Sequence, residues 1–141
     1  MMLLVTMDDL RDLIHQVGLK TFFGLLIDEL RNDMGCWDSF KKSPRHVTHY
    51  QHGVMELMPS ATDEYYAYKF VNGHPGNPSQ GRFTVVATGM LADVATGYPL
   101  MISEMTLLTA LRTAATSALA STYLSRSDAS TMAIIGTGSQ S

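Results

Sequence analysis

Arg45-His46-Val47-Thr48-His49-Tyr50-Gln51-His52-Gly53-Val54-Met55-Glu56-Leu57-Met58 is where this chain turns from a helical pattern to an extended one. Residues 45–52 and 54–58 are short runs of alternating character, and the habit returns at 65–71, 83–88 and 100–104. A period of two sends successive side chains to opposite faces, so these runs are predicted strands. Turn-rich breaks separate them: Pro59-Ser60-Ala61-Thr62-Asp63, then Asn72-Gly73-His74-Pro75-Gly76-Asn77-Pro78, then residues 93–97. Short strands joined in this way predict a meandering, mostly antiparallel sheet.

Upstream, Leu10, Leu13, Ile14 and Val17 follow helical spacing, with Thr6 and Asp9 as a capping pair and Gly18 as a stop. A second helix carries Phe23, Leu26, Ile27, Leu30 and Met34 on its apolar stripe and ends at Gly35. These two helices are expected to form a lid on the sheet. Downstream, residues 106–124 read as one long helix burying Leu107, Leu108, Leu111, Ala115, Ala118 and Leu119. After Ser125-Arg126-Ser127-Asp128, Thr131-Met132-Ala133-Ile134-Ile135 is predicted as a short apolar strand running into Gly136-Thr137-Gly138-Ser139-Gln140-Ser141.

The expected fold class is α+β: a mixed, largely antiparallel sheet with N-terminal helices and a long C-terminal helix. An apolar strand with nothing to pair it, entering a glycine loop, is expected to open a second unit of something longer. The expected domains are therefore residues 1–130 and the beginning of another at 131–141.

One domain of 141 residues buries about two-thirds of the surface its unfolded chain exposes. Ten basic against thirteen acidic residues leave a net charge of -3, which gives no electrostatic reason for a nucleic-acid partner. Any anion must be met by a few placed cations. The opening Met1-Met2-Leu3-Leu4-Val5 is too short and lacks the basic flank of a signal peptide, and no run approaches the ~18 apolar residues of a membrane span. Cys36 stands alone, which excludes an internal disulfide and fits a reducing, cytoplasmic compartment.

His46, His49 and His52 suggest a metal site, but alternation along a strand turns His49 away from the other two, so no metal is expected. Lys69 lies among Tyr65, Tyr66, Tyr68 and Phe70, where its ammonium must reach water or an anion; Arg45 and Glu56 read equally well as ordinary strand charges. Arg112 is the one charge between Glu104 and Arg126, so it is expected to be covered and to need an anionic partner. Glu104 would serve structurally, and a substrate carboxylate would suit the guanidinium fork. The strand followed by Gly136-Thr137-Gly138 is how a dinucleotide fold opens, with glycines admitting a pyrophosphate, although the spacing alone also describes a surface turn.

Taken together, Lys69-Phe70-Val71-Asn72-Gly73-His74-Pro75-Gly76-Asn77, Leu91-Ala92-Asp93, Gly97-Tyr98-Pro99 and Thr109-Ala110-Leu111-Arg112-Thr113-Ala114-Ala115 resemble the ornithine cyclodeaminase and mu-crystallin family, from the first helix to Ser141. The Val-Asn-Gly-His-Pro form is similar to the ornithine cyclodeaminase branch. The resemblance implies a homodimeric enzyme with a substrate-binding and dimerising domain followed by a Rossmann domain for NAD, converting L-ornithine to L-proline and ammonia. It implies that Arg45, Lys69 and Arg112 hold the α-carboxylate, with Glu56 near the amines and Glu56 and Lys69 in catalytic roles. Thr84, Arg112, Gly136, Gly138, Ser139 and Gln140 match cofactor-contacting positions, and Ser141 stands where the fingerprint often has Gly or Ala. The family's proton-relay acid falls beyond Ser141, so this stretch is expected to be inactive alone. An amino-acid dehydrogenase or cyclic ketimine reductase of the same fold, or a non-catalytic ligand-binding and dimerising module, are the alternatives.

Overall fold

The computed structural model describes residues 1–136, Gly138 and Ser139. Its elements run β1 (Leu3–Val5), α1 (Met7–Val17), α2 (Leu19–Gly35), β2 (Lys41–Lys42), β3 (His46–Tyr50), β4 (Gly53–Ala61), β5 (Tyr65–Gly73), β6 (Val85–Asp93), β7 (Pro99–Glu104) and α3 (Thr106–Leu124), with short 3-10 turns at Trp37–Ser39 and Asn77–Gln80. Among the described residues the strands form one sheet in the order β1-β7-β6-β5-β4-β2, with β3 also paired to β4. Every pairing is antiparallel except β1 with β7. This is the mixed, largely antiparallel α+β fold expected.

The helices start and stop where local chemistry directs. Thr6 and Asp9 form a reciprocal capping box: the Asp9 amide donates to Thr6 Oγ1 at 3.2 Å and the Thr6 amide donates to Asp9 Oδ2 at 2.8 Å. The start of α3 is tied to the sheet, since the Met105 amide donates to the Ala87 carbonyl at 3.0 Å and the Ala87 amide to Thr106 Oγ1 at 3.0 Å. Leu30 of α2 packs with Ala115 and Leu119 of α3, joined by Phe23, Leu26 and Ile27. The lid expectation is corrected in one respect: α2 lies on α3, and α3 carries the contact to the sheet at β6. Ala118, expected inside, is exposed.

Several strand readings change as well: β5 runs on through Asn72 and Gly73, expected in a turn, and β6 begins at Val85 rather than Phe83. β4 runs on through Pro59-Ser60-Ala61, expected as a turn, because β5 pairs it throughout while β2 takes up Ser60 and Ala61. Pro59 falls between the residues paired to β3 and those paired to β2, where neither strand opposes it, a position that tolerates proline. β6 continues past Thr88 to Asp93, and β1 and β2 are too short to announce themselves. No strand forms over residues 131–136, where Met132, Ile134 and Ile135 are exposed. An extended segment becomes a strand only when a neighbour takes its backbone donors and acceptors. His52 lies in the turn after β3, so the alternation argument applies to His46 and His49 only.

Candidate functional site

The strand register sorts the sheet into two faces. Glu56, Val71 and Ala87 stand opposite one another across β4, β5 and β6, and Met58, Lys69, Gly89 and Ser103 form the adjacent row on the same face. This face is covered: Val71 is 9% exposed, Ala87 3% and Ser103 2%. The alternate residues Leu57, Phe70 and Val86 look the other way and are exposed.

Arg45, just before β3, reaches Glu56 through Nη1 at 3.1 Å to each carboxylate oxygen. Glu56 is the more buried partner, with 20% of its side chain exposed against 49% for Arg45. Lys69 is half-buried beside a cavity of about 240 Å³ walled by Met58, Met101, Met105 and Ser103. Burial among these apolar side chains is the main cause that pulls the Lys69 ammonium below its ordinary value; the Arg112 and Arg45 cations push the same way, and Glu56 opposes them. Arg45, Glu56, Lys69 and Arg112 thus share one electrostatic neighbourhood.

Gly89, opposite Lys69, makes room for this arrangement. A Cβ there would stand 2.9 Å from Met105 Cγ, inside any normal contact. Nothing in the alternation pattern marks that glycine. Asn77, which the motif contains without an assigned role, holds the loop closed by donating its side-chain amide to the Phe83 carbonyl at 2.8 Å. The His74 amide donates to the Thr84 carbonyl at 2.8 Å, so the His-Pro loop fixes Thr84 at the mouth of β6.

Two expectations about Arg112 are corrected. It is exposed rather than covered, and none of the ion pairs among the described residues includes it. Glu104 is engaged elsewhere: its carboxylate accepts from the Thr106 amide and, at 3.1 Å, from the Leu107 amide, closing the first turn of α3. A carboxylate at a helix N-terminus is already well placed, which leaves the guanidinium available. Three cations around one carboxylate make a locus that attracts an anion, while Glu56 supplies one acceptor for a cationic group.

Thr84, Gly136, Gly138 and Ser139 line a second cleft, of about 690 Å³, with Ala114 and Ser117 of α3. Gly136 has φ +102°, a conformation that side chains rarely adopt, and open space lies where a Cβ would stand on Gly136 or Gly138. Val85, Met132, Ile134 and Ile135 make the rest of the wall apolar; the two glycines and the hydroxyls of Thr84, Ser117 and Ser139, with no carboxylate among the lining residues, fit a phosphate-bearing cofactor. Arg112 does not line this cleft, and Gln140 and Ser141 lie outside the described residues. Among the described residues no three His, Cys, Asp or Glu gather as metal ligands, and no helix is long and apolar enough to cross a membrane.

The ornithine cyclodeaminase of Agrobacterium tumefaciens (strain Ach5) is 53% identical over 137 residues, spanning 97% of this chain and 38% of that protein. Among solved structures, a lysine cyclodeaminase described for recognition of L-lysine, L-ornithine and L-2,4-diaminobutyric acid superposes with a TM-score of 0.90 at 30% identity, over 99% of this chain and 43% of that one. An archaeal alanine dehydrogenase dimer with bound NAD gives 0.82 at 30% identity, over 99% and 42%. The chain thus spans about two-fifths of the length of these relatives. The sequence profile of the ornithine cyclodeaminase/mu-crystallin family matches residues 7–141, and the chain belongs to that family.

Proposed function

We propose that this chain is the substrate-binding part of an NAD-dependent ornithine cyclodeaminase, in which residues 1–130 bind the amino acid and dimerise and residues 131–141 open the dinucleotide-binding unit. The observation that carries this reading is the grouping of Arg45, Lys69 and Arg112 with the single carboxylate Glu56. An α-amino acid brings one carboxylate for the cations, and ornithine brings a second amine for Glu56. Its α-carboxylate competes with Glu56 for Arg45, so substrate entry releases Glu56 to accept an amine proton. Lys69, with its lowered proton affinity, adds charge to the clamp and is suited to proton transfer.

Thr84, Gly136, Gly138, Ser139 and Gln140 are the residues that would hold NAD, and Arg112, outside the cleft they line, is included on the family resemblance alone. When bound, NAD supplies reversible hydride transfer at the substrate's α-carbon, which makes conversion of L-ornithine to L-proline and ammonia redox-neutral. The exposed apolar face of Leu57, Tyr66, Phe70 and Val86 supports a homodimer, and the archaeal alanine dehydrogenase of the same fold is a dimer. One exposed thiol, Cys36, suits a reducing cytoplasm.

The Arg45–Glu56 ion pair also favours a second reading, an amino-acid dehydrogenase or ketimine reductase in which Glu56 merely steadies Arg45. The test is proline formation from L-ornithine and NAD by this chain extended to the length of its relatives. Proline is expected there, and none above a blank from residues 1–141 alone. Glu56→Gln should suppress turnover of diamino acids while sparing binding of monoamino acids; equal loss for both supports the second reading.

A further inference from the structure

A third cavity, of about 470 Å³, adjoins the glycine-lined cleft, and Thr84, Val85 and Ser139 line both spaces. Arg11 of α1 and Arg82 of the loop before β6 border it, together with Thr106 and Thr109 of α3. No aspartate or glutamate is among its lining residues, in a chain whose net charge is -3. Arg82 enters no ion pair among the described residues. Arg11 has one, to Asp8 at 3.4 Å, with both side chains mostly in water. The Thr109 hydroxyl is buried and has no hydrogen-bond partner. A buried hydroxyl without a partner is costly, and it lies in the wall of a cavity with two guanidiniums and no acid.

The start of α3 does not explain this charge, because the Glu104 carboxylate already occupies its first amides. Guanidiniums recognise phosphate oxygens in paired hydrogen bonds, and Ser139 brings the glycine loop to the same wall. We propose that Arg11 and Arg82 form a phosphate clamp on the pyrophosphate of the dinucleotide, reaching it through the wall of Thr84 and Ser139 that their cavity shares with the cleft of Gly136 and Gly138. The clamp rests on the reading that the chain binds NAD. It makes the first domain contribute to cofactor affinity through α1 and the loop before β6, neither of which belongs to a dinucleotide fold.

The test is calorimetry on the chain extended to the length of its relatives, with NAD, ADP-ribose, adenosine and inorganic pyrophosphate as separate probes. Arg11→Gln and Arg82→Gln should each weaken NAD and ADP-ribose about tenfold, as expected for loss of a charged hydrogen bond, and leave adenosine unchanged. The double variant should also flatten the salt dependence of NAD binding, and Arg82→Lys should restore part of it. Both side chains are exposed, so folding is expected to survive, and the unchanged adenosine affinity verifies that. Equal NAD affinity in wild type and double variant overturns the clamp while leaving the dinucleotide reading intact. Failure of the wild type to bind NAD overturns that reading and the clamp with it. Pyrophosphate bound at these arginines and not displaced by NAD overturns the dinucleotide as the source of the anion.

Discussion

Glu56 and Leu57 are neighbours in sequence, as are Lys69 and Phe70, yet the two members of each pair live on different sides of one sheet. Glu56 and Lys69 face the side carrying α3, where Arg45 and Arg112 join them. Leu57 and Phe70 pair with each other on the opposite side, 36% and 40% exposed. In each of these two pairs the charged member is thus on the covered face and the apolar member on the open one. Charges are retained beneath a cover when they pair or await a counter-ion, and apolar groups stay in water when something else is to cover them. The same four strands therefore build two surfaces of different purpose, and substitutions should separate them.

The largest expected effect comes from the covered face of the extended enzyme. Lys69→Ala or Arg112→Ala leaves a substrate carboxylate short of a charged hydrogen bond, a cost of roughly 2 to 5 kcal/mol, or tens to thousands of fold in kcat/KM. Arg112→Ala is expected to be the more damaging, since a guanidinium fork holds both oxygens of a carboxylate where the Lys69 ammonium acts as a point charge. Phe70→Glu, next to Lys69 in sequence, should leave kcat/KM for a folded species nearly unchanged and instead shift the protein toward monomer in light scattering. Loss of activity from Phe70→Glu without a change in association, or folded cation variants with near-normal efficiency, would break the comparison.

A smaller effect concerns protons. Burial and two cations lower the Lys69 pKa from its ordinary 10.5 in the folded state, so between the folded and unfolded values the unfolded chain holds more protons. Stability therefore rises with pH through that window; below it, both states are protonated and the full penalty is present. Lys69→Met should raise Tm at low and neutral pH, and the advantage should shrink as pH climbs toward 10.5. A Tm difference that stays flat with pH would mean that the gain is packing against Met58, Met101 and Met105 alone.

Much of this was legible in the chain itself where the signal is local. α3 occupies the span read from its apolar stripe and the break that follows, and the Thr6–Asp9 box forms as its spacing implied. What escaped depends on partners distant in sequence. β1 and β2 exist because β7 and β4 accept them, β4 passes through Pro59 because β5 holds it, and the apolar run at 131–135 is no strand without a neighbour. The grouping at the candidate site was legible only through the resemblance, because alternation cannot say that Glu56 and Lys69 share a face until the register of β4 on β5 is known. Counting charges along α3 misjudged Arg112: an isolated charge in an apolar helix implies cover only if the helix is packed all round, and α3 leaves that side open.

The central claim is that the cations on the α3 side receive the carboxylate of an amino acid and that its arrival frees Glu56. A crystal structure of the extended chain with L-ornithine tests it most directly. The account predicts the α-carboxylate within about 3 Å of Arg45, Lys69 and Arg112, with Glu56 turned from Arg45 toward an amine. Ornithine bound elsewhere, or bound here with the Arg45–Glu56 pair intact at its 3.1 Å, would contradict it.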